Sequence, residues 1–407
     1  MVKMSNTIKI LLGSLAVVCS TVIANSLINN NIVTTSGANI KENNEEIKKE
    51  KKSFFDRFSF GREIKISAVG DIIVHDEQIW SAYNDEDKTY NFTPNFKYIK
   101  SFIEESDISY GTIEGTYSGK EKQYSGYPKY NAPDSMLDAL SDSGFDIINI
   151  ATDHTLDNGE EGLNRTIDKV NENMSATGNK GYIIKELKGM KIGFTSYTYE
   201  SREGELNENK IGENANVNTF SYNTLEEDLE KMNESIKKMK EDGVDFIIFG
   251  MHWGASYSSE PSEYQIGIAN KLNELGVDLI IGSNPHVVQP IEEIVNEDGH
   301  KTLVAYSLGN FISNQREETM GDRRTADGVI LNVTLDKGRK GVEIEEWSYT
   351  PTWVYKIPIE NKKSEYFILP IEKTLASEEG KALDTSVINE LNKSLESTNK
   401  IIGAVKK

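Results

Sequence analysis

The sequence predicts an α/β protein in which two β-sheets pack together with helices outside them. Three observations lead there. Three segments repeat one order of elements: a helical stretch, then Gly, an apolar residue and Asp, then an apolar run leading to a histidine. They run from Gly144 to His154, from Gly243 to His252 and from Gly276 to His286. Short uninterrupted apolar runs that follow helices read as parallel strands buried on both faces. After residue 300 the texture changes: 302–308, 328–335 and 342–349 follow one another without helices, and the last two alternate as antiparallel strands do. No fixed-period repeat is present, so a solenoid is excluded. A βα-alternating front and a β-rich back call for two packed sheets.

The elements follow in order. Lys3 and Lys9 lead into the apolar run Ile10–Ala24, which continues to Ile28. A basic start before an apolar core marks an exported chain. Residues 1–28 are read as an N-terminal membrane segment with the main domain outside, of which 8–28 form a single anchor just long enough to span. The alternative is a signal peptide cut at Ala24-Asn25-Ser26, giving a secreted protein. Cys19 is the only cysteine, and Val18 before it argues against lipid attachment. Residues 29–63 are polar and read as a flexible linker. The folded domain is placed at 64–357, beginning with a strand at 64–70. Helices are expected at 95–105, 134–143, 159–173, 224–242 and 262–275, with further strands at 107–110 and 191–197. Residues 358–407 form a C-terminal extension, and 376–407 read as a polar helical tail.

The 407-residue chain is 37% hydrophobic with 14 Phe and 18 Tyr, enough for a substantial core. Its net charge of -20 excludes a nucleic-acid partner and docking of the folded domain on anionic lipid.

Groups that carry chemistry collect beyond the carboxyl ends of parallel strands. His154, His252 and His286 are therefore expected along one edge of one sheet. Asp71, Glu114 and Asp153 follow comparable strand ends, with Asp157 and Asn284 beside them. A mixed imidazole and carboxylate set suits a divalent zinc, manganese or iron ion. Two such ions can clamp an in-line displacement at phosphorus. The Gly309-Asn310 turn after a strand aims Asn310 at the same place. His75 is read as reaching the site or lining its rim, and His300 as exposed in a turn. No phosphate-binding glycine loop, dinucleotide fingerprint or serine nucleophile elbow is present.

These residues resemble a known family. Val69-Gly70-Asp71, the Glu114 segment, Asp153-His154 with Asp157 and Gly159, His252-Trp253-Gly254 with Tyr257, Pro261 and Gln265, Asn284-Pro285-His286 with Gln289, and Tyr306–Phe311 are similar, in order, to the motifs of the capsule-synthesis CapA family. The resemblance covers roughly residues 64–315. It implies a four-layer α/β/β/α sandwich like that of calcineurin-type metallophosphoesterases. It also implies a part in making or exporting poly-γ-glutamate in the bacterial envelope, from an N-terminally anchored protein. Four positions depart from the family pattern: Asp153 stands for Asn, Asn284 for His, Ser256 for Glu, and Thr112-Ile113 for Asn-Leu. Asp153 strengthens one metal position and Asn284 weakens another, so two ions, one or none stay open.

Three functions follow as expectations. The first is a capsule-polymer protein that partners the polymer or its synthesis and export machinery, with Arg316, Arg323 and Arg324 as an anion-binding patch. The second is a metal-dependent phosphoesterase or polymer hydrolase. In it Asp71, Glu114, Asp153, His252, Asn284 and His286 are the metal set, and His154, Asp157 and Asn310 are the catalytic set, His154 serving as general acid or oxyanion partner. The third is a metal-free binding module.

Overall fold

Each Gly-x-Asp step closes a helix and pins the start of a strand. Gly144, Gly243 and Gly276 take left-handed φ values of 90°, 76° and 89°, which lets the backbone leave the helix at no steric cost. Two residues on, the Asp carboxylate accepts a backbone N–H from the neighbouring parallel strand. Ser109 donates to Asp146 at 2.9 Å, Lys191 to Asp245 at 2.9 Å, and Ile247 to Asp278 at 2.7 Å. Asp107, without the glycine, accepts from Lys65 at 2.9 Å. The pattern is thus a device for starting parallel strands.

The computed structural model describes residues 63–199, 215–338, 341–359 and 363–403. The expected anchor or signal segment and linker at 1–62 lie outside the described residues. Among the described residues no helix is long and apolar enough to cross a membrane.

The strands form two large sheets. The first contains β1 (Ile64–Ile73), β4 (Ile108–Glu114), β5 (Ile147–Asn149), β6 (Ser175–Thr177), β14 (Asn310–Ile312), β15 (Asp327–Gly338), β16 (Gly341–Pro358) and β17 (Ser364–Pro370). Its order is β17-β16-β15-β1-β4-β5-β6, with β14 beside the end of β1. The second contains β7 (Ile183–Leu187), β8 (Met190–Tyr199), β9 (Thr219–Phe220), β10 (Phe246–His252), β11 (Leu279–Ser283), β12 (Ile291–Val295) and β13 (Lys301–Ala305). Its order is β12-β13-β11-β10-β8-β7, with β9 on β8. A small hairpin, β2 (Tyr83–Asn84) and β3 (Thr89–Tyr90), stands apart. The expectation of three histidines on one sheet is therefore corrected: His154 follows β5 in the first sheet, whereas His252 and His286 end or follow β10 and β11 in the second. A local strand-start pattern cannot tell which sheet receives the strand.

Helices cover the outer faces. On the first sheet these are α1 (Asp76–Ala82), α2 (Lys100–Glu104), α3 (Ser135–Asp142) and α4 (Gly159–Val170); Ile103, Leu140 and Leu163 pack with Ile113 and Ile148. On the second, α5 (Leu225–Glu241) and α6 (Glu263–Leu275) bring Ile236 and Leu272 against Phe249 and Ile280. The expected helix at 95–105 is broken instead, by a 3-10 turn at Thr93–Phe96 before α2. Pro94 sits in the first turn of the 3-10 segment, where its missing donor is tolerated. Between the sheets, Ile66, Tyr110 and Ile147 meet Phe194, Ile248 and Ile281. Here Gly250 is required: a Cβ on it would lie 2.0 Å from the Tyr110 hydroxyl, which reaches Ser196 Oγ at 3.2 Å.

After β14 comes the short α7 (Glu317–Met320), and after β17 come α8 (Ile371–Ala376), α9 (Glu378–Lys381) and α10 (Thr385–Gly403). Residues 364–370, within the segment read as an extension, are the edge strand of the first sheet. The helical tail is polar only on one side; α10 buries Leu391, Ser394, Thr398 and Ile402.

Candidate metal centre

The sheets place their strand ends face to face, and the acidic residues gather there. Gly70 lets β1 pass close to the loop before β14: a Cβ there would lie 1.9 Å from the Gly309 carbonyl oxygen. Asp71 follows, its N–H bonded to that carbonyl at 3.0 Å and its side chain wholly buried. Glu114 is the last residue of β4, also buried. Asp153 and His154 lie on the turn after β5, where Asp157 Oδ2 accepts the Tyr130 N–H at 2.6 Å and sits 2.9 Å from His154 Nδ1.

The second sheet supplies two imidazoles. His252 Nδ1 lies 3.0 Å from Ser283 Oγ, and its Nε2 lies 3.1 Å from Asp153 Oδ1. The loop after β11 is strained, with φ of 90° at Asn284 and 58° at His286. Left-handed backbone at a non-glycine residue costs roughly 1 kcal/mol or more, and such strain concentrates at functional sites. It turns His286 inward: Nδ1 is 3.3 Å from Asn310 Oδ1, 3.6 Å from Asp71 Oδ2 and 3.9 Å from Glu114 Oε2.

Two groups of ligand atoms result, Asp71 with Glu114 and His286, and Glu114 with Asp153 and His154; within each group all lie within 4.8 Å of one another. Glu114 is common to both. His252 stands next to the second group through Asp153. Asn284, expected in the metal set, spends both amide hydrogens on the carbonyls of Trp253 and Gly254, at 2.9 and 3.0 Å. Its backbone N–H reaches Asp71 Oδ2 at 3.2 Å. His154, expected to act on a proton, stands among the carboxylates with Nε2 4.0 Å from Glu114 Oε1. Asn310 is buried behind His286, and its amide donates to Gln315 Oε1 and to the Thr325 carbonyl.

Sequence reasoning missed two of the three aromatic walls, Tyr130 and Tyr199, and named Tyr257 only within the family motif. The Tyr130 ring is 4.7 Å from that of His154, and Tyr199 stacks at 6.1 Å on His252. Tyr257 lies 5.7 Å from His286. Tyr199 ends a strand beside β10, a position that signals the site as His252 does; the loop residue Tyr130 carries no such signal. His75 is at the rim, taking the Asn314 N–H at 3.2 Å on Nδ1 and touching Tyr130 Oη at 3.4 Å through Nε2. Burial pulls its pKa down to about 4. His300 is not simply exposed: Nε2 binds the Val277 carbonyl at 2.9 Å.

The charges of the centre are mutually dependent. Burial pushes Glu114 up to about 7. Burial opposes charge on His286 and His154, yet the surrounding carboxylates outweigh it and push them up to about 9 and about 10. Asp153 is likewise disfavoured by burial but held below the usual carboxylate range by His154 and His252. Asp71 Oδ1 and Glu114 Oε2 are buried without a hydrogen-bond partner. A buried carboxylate oxygen left unpaired is costly, and a divalent cation satisfies it. The donor set fits such an ion. In the expected basic patch each arginine meets a carboxylate: Arg316 bonds Glu318 at 2.9 Å, Arg323 bonds Asp327 at 3.2 Å and Arg324 bonds Asp322 at 2.6 Å. Arg316 uses only its Nε for this, and its Nη1 is buried without a hydrogen-bond partner.

Residues 65–315 match the family described as bacterial capsule synthesis protein PGA_cap. The chain belongs to that family. All the residues of the PGA_cap centre, from Asp71 to Asn310, fall inside the match, while β15 to β17 and α8 to α10 lie beyond it. The chain is 27% identical over 283 residues to the PGA biosynthesis protein CapA of Bacillus subtilis (strain 168), across 66% of this chain and 69% of that protein. It is 25% identical over 288 residues to the capsule biosynthesis protein CapA of Bacillus anthracis, across 67% and 64% respectively. Among solved structures it is similar to the calcineurin-like phosphoesterase YfkN from Bacillus subtilis, at 16% identity and a TM-score of 0.41, covering 83% of this chain and 98% of that one.

Proposed function

We propose that this PGA_cap protein handles a capsule polymer of the poly-γ-glutamate kind during its synthesis or export, through a centre that holds one or two divalent cations. The observation that carries this reading is the pair of buried ligand groups sharing Glu114. The family match and the names of the two CapA relatives support the polymer. Asp71, Glu114 and His286 would hold one ion, and Glu114, Asp153 and His154 another; zinc, manganese and iron suit these donors. A bound ion supplies Lewis acidity and a water of lowered pKa.

The chain's own residues set the stage. Asp157 fixes the His154 ring, Ser283 and Asp153 fix His252, and Asn310 fixes His286. The rings of Tyr130, Tyr199 and Tyr257 pack beside the three imidazoles. In a chain of net charge -20, a carboxylate-lined centre repels a polyanion. With the arginines paired, cations between protein and polymer reconcile the two. In the same reading residues 1–28 anchor the protein in the membrane with its domain outside; the mass of the mature chain separates this from cleavage near Ala24.

A second reading, metal-dependent hydrolysis of a phosphoester or of an amide in the polymer, is favoured by the His154–Asp157 pair beside the carboxylates. The test is elemental analysis of the full-length chain purified without chelators, with Glu114→Gln and His286→Ala alongside, and poly-γ-glutamate binding before and after chelation. Bound metal lost in the variants, and polymer binding lost on chelation, are expected. A metal-free wild type, or binding indifferent to chelation, overturns the reading. Shortened polymer or released phosphate supports the second.

A further inference from the structure

A cavity of about 320 Å³ opens on the outer face of β16 and β17, and none of the metal-centre residues lines it. Its floor is an apolar stripe: Tyr355 on β16 pairs with Phe367 on β17, and Leu369 follows two residues on, on the same face. Tyr98, just before α2, forms one wall and meets Phe367 edge-on at 5.7 Å. The turns of α8 and α9 close the other side. Apart from Tyr98 and its neighbours on that wall, the lining comes from residues 355–383, beyond the span that matches the PGA_cap family. The cavity is an elaboration outside that match.

Its lining is basic although the chain as a whole is acidic. Lys97 and Lys373 line it, and neither makes an ion pair among the described residues. Each ammonium is instead held over a ring, Lys97 at 4.7 Å from the Tyr98 centroid and Lys373 at 4.7 Å from that of Phe102. Lys97 also donates one hydrogen to the Tyr98 hydroxyl at 3.4 Å; such contacts are favourable but leave other ammonium donors for an anion. Glu379 is the one carboxylate in the lining, so two lysines against one glutamate leave a formal charge of +1 in a chain of -20. A concave, mostly apolar space with a few convergent polar groups is the usual form of a small-molecule site.

We infer that this cavity binds a small soluble molecule with an apolar ring system and a single anionic head group, the rings on the Tyr355–Phe367 floor against the Tyr98 wall and the head between Lys97 and Lys373. Glu379 disfavours a second negative charge.

The test uses the full-length chain in nanodiscs of zwitterionic lipid, with protein-free nanodiscs as the blank, titrated with naphthoate and with the uncharged naphthol. Two variants accompany it: the double variant Lys97→Gln, Lys373→Gln, which changes only exposed side chains, and Leu383→Trp, which fills the cavity from its rim. Saturable naphthoate binding is expected, weakened roughly tenfold by losing the two charge-assisted contacts, with naphthol changed far less. Leu383→Trp is expected to abolish both. Wild-type protein that takes up no naphthoate at millimolar concentration overturns the inference. So does a double variant that binds as tightly as wild type, or binding that survives Leu383→Trp in a protein with an unchanged melting temperature.

Discussion

His252 Nε2 lies 3.1 Å from Asp153 Oδ1, although the two side chains leave different sheets. With His252 fully buried, Asp153→Ala removes the partner of one ring nitrogen. An unpaired buried polar group costs about 1–3 kcal/mol, and that loss is expected in denaturant unfolding of metal-free protein. Asp153→Asn retains an acceptor oxygen but loses the charge that His154 and His252 favour, so it is expected to be less destabilised than Asp153→Ala while binding less metal. Equal stability of the two variants would show that the bond between the sheets contributes nothing.

Glu114 serves both ligand groups, so its removal separates metal binding from folding. An ion present at about 100 times its dissociation constant stabilises the native state by about 2.7 kcal/mol. Chelation is expected to lower the melting temperature of wild type and to leave Glu114→Gln unmoved. At pH 8 without metal, Glu114→Gln is expected to be no less stable than wild type. Burial disfavours the ionised carboxyl there, and Gln is neutral.

Metal affinity is expected to rise with pH. Without metal, Glu114 and His286 hold protons up to about 7 and about 9, and a ligand must shed its proton to bind an ion. Between pH 6 and 9 the dissociation constant falls, as isothermal titration in non-coordinating buffers will measure. An affinity that is flat across this range would place the ion elsewhere.

Asp327 governs a separate pH response. It is buried, accepts from Ser394 on α10 and pairs with Arg323, yet burial still pushes it up to about 6 from 3.8. A carboxyl raised on folding makes its full contribution below the unfolded value and loses it as pH rises through the folded one. Wild type is therefore expected to lose stability relative to Asp327→Asn between pH 4 and 7, by at most about 3 kcal/mol for a shift of this size. Unfolding curves for both proteins at the two pH values decide it.

Much of this was legible in sequence because the signals were local. Strand cores and helices at 134–143, 159–173, 224–242 and 262–275 declare themselves by periodicity, and the motif residues fall at their ends. Asp71, Glu114, Asp153, His154 and His286 do come together. The assignment of strands to sheets was not legible, since Gly-x-Asp starts a parallel strand in either sheet by the same bond. Nor were the roles of Asn284, which orients a loop, and of the three arginines, whose partners Glu318, Asp327 and Asp322 are close in sequence but visible only as contacts. The aromatic walls needed tertiary structure, because Tyr130 reaches His154 from a loop with no strand-end signature.

The carboxylates of Asp107, Asp146, Asp245 and Asp278 all fasten strands at the end opposite the metal centre. One rim of the molecule is therefore architecture and the other is chemistry. Changes at the fastening rim should register first as faster backbone amide exchange, while changes at the exit rim alter ligands and leave the sheets intact. A protein divided this way can have its exit loops rewritten without renegotiating the scaffold that presents them.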